Sequence, residues 1–155
     1  MTAVVAPLEV GISCSDIEKM SRFYIDILGC TLIGTNHVGA DVARRVLISD
    51  VAYTVIRVQL PTGERLKFLQ SQVPPIAVSP PTLALDRRNT TYLTFIIDDF
   101  ANLEQNLRSA GAAILTGADP LVIRPGVRVL LARDPEENLI EFVCHDDLQA
   151  YRTTP

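Results

Sequence analysis

LEVGISCSDIEKMSRFYIDILG, residues 8–29, changes its hydrophobic period once, and that change decides the fold. Leu8, Val10 and Ile12 alternate with Glu9, Gly11 and Ser13, the period of a half-buried strand. From Ile17 the spacing becomes helical, with Ile17, Met20, Phe23, Tyr24, Ile27 and Leu28 on one face. Ser15 stands three residues before Glu18, which is capping-box spacing. Gly29 supplies the left-handed conformation that ends a helix.

The same unit returns in YLTFIIDDFANLEQNLRSAG, residues 92–111. Leu93, Phe95 and Ile97 make its strand, Asp98 or Asp99 its cap, Leu103 and Leu107 its apolar helix face, and Gly111 its stop. After the first unit the chain predicts a strand over 30–34, a polar loop over 35–41 holding His37, a weakly alternating stretch over 43–49, and a strand over 52–60. A turn at 61–64 leads to a strand over 65–70. After the second unit it predicts strands over 113–115, 127–132 and 139–144, with a turn at 134–137. Each half therefore reads β-α-β-β-β. Pro74-Pro75 and Pro80-Pro81 mark the segment between them as a linker. The expected organisation is one domain over 1–145, built from modules 5–72 and 91–145 and linker 73–90, with a polar tail over 146–155 that has room for one short helix.

Composition narrows the partners. With 48% hydrophobic residues the 155-residue chain can bury a core, and a net charge of −4 without basic runs argues against nucleic acid. No apolar segment approaches membrane-spanning length, and MTAVVAPLEV does not read as a secretory leader. Cys14, Cys30 and Cys144 are odd in number and lack CxxC spacing, so they read as core residues suited to a reducing cytoplasm. One β-α-β-β-β unit covers one sheet face with its helix and leaves the other in need of a partner. Two units are therefore expected to form an α+β fold, a curved mixed sheet with a ligand cleft.

The stretches VGISCSDIEKMSRFYIDILG, YLTFIIDDFANLEQNLRSAGA and RDPEENLIEFV resemble the vicinal oxygen chelate superfamily, the glyoxalase, bleomycin-resistance and extradiol-dioxygenase proteins. The resemblance spans nearly the whole chain. It implies paired modules, frequent dimerisation and four sheet positions that commonly hold a divalent metal. Carried onto this chain, those positions are Glu9, Lys67, Tyr92 and Glu141. Only the two glutamates are usual ligands, because a lysine ammonium has no lone pair to give a metal. The expectation is thus no metal and no other cofactor, with Lys67 standing where the ion's charge would be.

These four residues are the catalytic candidates of a metal-independent isomerase or lyase. Glu9 or Glu141 would take a proton from a carbon next to a carbonyl, its own pKa raised by burial against a like charge, and Lys67 or Tyr92 would stabilise the oxyanion. His37 and Arg45 are substrate-binding candidates. Arg44-Arg45, like Arg124 and Arg128, would steer an anionic substrate, although such residues also read as solvated surface. The alternatives are a non-catalytic protein that sequesters a drug-like or aromatic metabolite around a buried ion pair, and a metal-dependent glyoxalase or dioxygenase with unusual ligands. The expected partners are a small molecule and a second copy of the chain in a homodimer.

Overall fold

A computed structural model describes residues 3–117 and 119–153. The chain divides into two compact units, one up to residue 78 and one from residue 79. Both are built on one plan, and the fold is α+β.

In the first unit β1 (Glu9–Ser13) leads into α1 (Ile17–Leu28), followed by β2 (Thr31–Val38), α2 (Ala40–Arg45), β3 (Tyr53–Gln59) and β4 (Arg65–Ser71). The sheet order is β1-β4-β3-β2, with β1 parallel to β4 and the other pairs antiparallel. Ile17, Met20, Phe23, Tyr24 and Ile27 are buried, and Tyr24 stacks on Phe68 of β4 with centroids 5.2 Å apart. Leu66, Phe68, Ile56 and Val58 are buried with them, and alternation leaves Lys67, Arg57 and Glu9 on the helix-free face.

The second unit repeats the plan. It contains β5 (Leu93–Ile96), α3 (Phe100–Ser109), β6 (Leu121–Arg124), β7 (Val127–Arg133), β8 (Leu139–His145) and the tail helix α4 (Leu148–Thr153). Its sheet order is β5-β8-β7-β6, with β5 parallel to β8. Phe100, Leu103 and Leu107 of α3 are buried, as are Phe95, Phe142, Leu130 and Ile140 of its sheet.

Several expectations are corrected. Asp16 caps α1, accepting from the Lys19 amide at 2.9 Å, in place of Ser15. Asp99 caps α3, accepting from the Ala101 and Asn102 amides. Gly29 (φ 64°) does end α1, donating to the Ile25 carbonyl, whereas α3 ends at Ala110 and Gly111 (φ 68°) follows it. His37 is on strand β2, not in a loop. The polar run 35–37 pairs residue by residue with β3 at the sheet edge, where polar side chains stay solvated. Arg44 and Arg45 end helix α2, stabilised by the Arg44–Asp41 pair and an Arg44 bond to the Asp50 carbonyl, instead of starting a strand. Residues 113–115 contribute only a bridge between Ile114 and Ala132. The missing strand is β6, placed against β7 by Pro125-Gly126, whose Gly126 φ of 76° suits the third position of a type II turn.

Candidate functional site

Three rows of directly paired residues cross the helix-free face of the first sheet. The first is Glu9–Arg65–Gln59–Thr31, the second Gly11–Lys67–Arg57–Gly34, and the third Ser13–Leu69–Val55–Asn36. The Arg65 guanidinium donates to Gln59 at 3.0 Å and to Glu9 Oε1 at 3.3 Å. Lys67 Nζ lies 3.4 Å from the other oxygen, Glu9 Oε2. Partial burial is the largest single influence on the Glu9 carboxyl and pushes its pKa up. The hydrogen bonds from Arg65 and Lys67, with the charges of Lys67 and Arg57, together outweigh it and hold Glu9 below the ordinary carboxylate value. This reverses the expected rise for Glu9.

In the second sheet the matching rows are Thr94–Glu141–Leu131 and Ile96–Val143–Val129–Leu121. The Thr94 hydroxyl donates to Glu141 Oε2 at 2.7 Å. Val127, Val129 and Val143 form a buried apolar cluster on the same face of the sheet. Tyr92 is exposed and stands one residue before β5. The two N-caps, Asp16 and Asp99, align the repeats and make Gly11 equivalent to Thr94. Lys67, beside Gly11, and Glu141, beside Thr94, thus hold the same place in the two modules with opposite charge.

The turn before β8 fixes where Glu141 falls. Asp134, 3% exposed, accepts from the Glu136 amide and from both the amide and side-chain nitrogen of Asn138. Glu137 takes a left-handed φ of 66° inside this turn. The register that follows pairs Leu131 with Glu141 and turns Phe142 to the core.

Within the first module Glu9 and Lys67 are brought together. His37 is not brought to them: its Nδ1 meets the Thr54 hydroxyl at 3.0 Å, and its row continues through Thr54 to Gln70, on the face that carries α1. Arg45 is exposed at the end of α2. Arg57, Arg65 and Thr94 were missed as site residues, yet strict alternation in YTVIRVQL and RLKFLQ already places Arg57 and Arg65 with Lys67 on one side of the sheet.

The donor set of the first module does not fit a divalent ion. Lys67 has no lone pair while charged, and both Glu9 oxygens already receive cations. Among the described residues no group of three or more His, Cys, Asp or Glu is placed to hold a metal.

The chain is thus a duplication of one four-stranded mixed sheet, with a helix on one face and charged residues on the other. Residues 6–142 match the model of the Glyoxalase/Bleomycin resistance protein/Dioxygenase superfamily. The chain belongs to that superfamily. No curated relative matches the sequence. Among solved structures, a glyoxalase family protein from Bacillus cereus is similar with a TM-score of 0.77 at 18% identity, over 93% of this chain and 96% of that one. A glutamate-to-glutamine mutant of glyoxalase I from Zea mays has a TM-score of 0.65 at 16% identity, over 92% of this chain and 46% of that one. A mutant of the fosfomycin resistance protein FosX from Listeria monocytogenes, complexed with Mn(II) and 1S,2S-dihydroxypropylphosphonic acid, has a TM-score of 0.61 at 13% identity, over 99% and 100% of the chains. At these identities the likeness carries the fold alone.

Proposed function

We propose that this protein is a metal-independent isomerase or lyase that moves a proton next to a carbonyl of a small organic substrate. One observation supports this above others. Both Glu9 oxygens are engaged by Arg65 and Lys67, whereas Glu141 receives only the Thr94 hydroxyl among the described residues, on one oxygen. Glu141 is therefore the base. It takes the proton from the carbon acid, and the electron pair moves into the carbonyl to give an enolate oxyanion. The Thr94 hydroxyl orients the carboxylate, and Tyr92 is the donor for the oxyanion. Return of the proton at another carbon completes an isomerisation, and loss of a β-substituent with its electron pair completes an elimination. In the first unit Lys67 is held to Glu9 and takes no part in this step, and the assembly is proposed to be a homodimer.

The second reading, a non-catalytic binding protein, is favoured by the lowered pKa of Glu9, which removes one of the two bases. The test is deuterium exchange from simple α-keto and α-hydroxy carbonyl compounds in heavy water. It uses full-length protein whose divalent metal, by elemental analysis, is expected to be far below one equivalent. Exchange should fall by about two orders of magnitude or more in Glu141→Gln with the fold intact. Equal exchange in wild type and Glu141→Gln would end the proton-transfer proposal, and stoichiometric metal would end its metal-free form.

A further inference from the structure

The helix-free face of the first sheet carries three cations, Arg57, Arg65 and Lys67, and one carboxylate, Glu9. Glu9 is fully used by Arg65 and Lys67, and Arg65 is also held by Gln59. Arg57 makes no hydrogen bond or ion pair among the described residues. It stands directly opposite Lys67 in the β3–β4 register. Like charges facing each other across an antiparallel pair are destabilising. Among the described residues nothing offsets this pair beyond the Glu9 carboxylate already shared.

The ends of the same row make the arrangement specific. Lys67 is flanked on β1 by Gly11, and Arg57 is flanked on β2 by Gly34. Neither glycine takes a positive φ, so backbone conformation does not require glycine at either place. A Cβ at Gly34 would meet nothing within 4 Å, and one at Gly11 would only touch Leu69 at 3.4 Å. The row is thus two adjacent cations with no side chain over either end. A guanidinium offers paired N–H donors matched to two oxygens, and an ammonium beside it adds a third point of charge.

We infer that the Gly11–Lys67–Arg57–Gly34 row is an anion site, and that the ligand of this protein carries an oxyanion group, a carboxylate or a phosphate-type group, seated on Arg57 and Lys67. This goes beyond the proposed function: it concerns the first sheet alone, and it does not depend on proton transfer. A bound oxyanion takes Arg57 as a bidentate partner, and its negative charge removes the Arg57–Lys67 repulsion.

The experiment is thermal unfolding of the full chain at fixed ionic strength, set with chloride, while inorganic phosphate in one arm and acetate in the other replace chloride. Fixing the ionic strength removes general screening from the comparison. At least one anion should raise Tm in a saturable way, and the arm that does so identifies the phosphate-type or the carboxylate class. Arg57→Gln should weaken that apparent affinity at least about tenfold, while its Tm without anion is equal to or above that of wild type because a like-charge contact is gone. Arg57→Lys, which keeps the charge but not the paired donors, should fall between the two. Arg152→Gln, exposed on α4, should behave as wild type. The inference is overturned if neither anion raises Tm, or if Arg57→Gln responds as wild type does. Anion binding that depends on Arg57 with no exchange activity would leave this inference standing and remove the proton-transfer reading alone.

Discussion

At the residue scale, Glu9 shows how one carboxylate is diverted from chemistry to structure. Its pKa in the folded protein lies below the ordinary carboxylate value, because the hydrogen bonds and charges of Arg65, Lys67 and Arg57 outweigh the effect of burial. A depressed folded-state pKa adds stability that is present above the unfolded value and is lost as pH falls through the folded one. Glu9→Gln should therefore be less stable than wild type at neutral pH, and the difference should shrink steadily below the ordinary carboxylate range. Urea unfolding of both proteins across that range measures it, and a difference independent of pH would mean the ion pairs do not hold Glu9. Cys30 gives the opposite case. Burial pushes its thiol up to about 11, so it is a packing residue without nucleophilic character at neutral pH.

At the element scale, the turn at 134–138 places the last strand. The Asp134 carboxylate is buried and accepts from three nitrogens, so its loss leaves those donors without their partner. Asp134→Ala should cost about 1–3 kcal/mol in denaturant unfolding. Asp134→Asn, which keeps one acceptor oxygen, should cost less, and equal losses would contradict a hydrogen-bonding role. The strand-helix units and this turn were legible because periodicity and turn residues are local signals, as at Ile17–Leu28 and Asp134-Pro135, while the cap of α1 was placed one residue early at Ser15. The edge strands were not. His37 on β2 and Leu121–Arg124 on β6 owe their conformation to pairing with β3 and β7, and tertiary pairing leaves little mark on an exposed edge sequence. Glu9 and Lys67 came from the family resemblance and not from strand period, and the structure brings these two within 3.4 Å. Arg57 was passed over because it sits singly within the apolar run YTVIRVQL.

At the scale of the whole molecule, the repeat has kept its backbone plan and diverged in charge. Lys67 and Glu141 occupy equivalent places, one beside a glycine and a second cation, the other beside a threonine hydroxyl and Leu131. The imbalance extends beyond the site. The first unit has seven acidic and seven basic residues and the second has eleven and seven, so the net charge of −4 lies entirely in the second. Each unit has its own sheet and its own buried helix face, and the chain between them has little to hold it. Residues 72–92 are largely exposed and have a single 3-10 turn, Ala84–Asp86, as regular structure. The Arg87 side chain bonds the Ser79 carbonyl, but Arg87 and Arg88 are themselves exposed. Proteolysis needs local unfolding around the cut, which is least costly where few backbone bonds must break. Limited trypsin digestion should therefore cut first after Arg87 or Arg88 and give two fragments of similar size. Arg57, Arg65 and Lys67 lie inside paired strands and should be cut far more slowly. Mass spectrometry of the earliest products decides the matter. A first cut within β3, β4, β7 or β8 would mean that a sheet opens more readily than the connecting segment, and that the module cores are weaker than their burial implies.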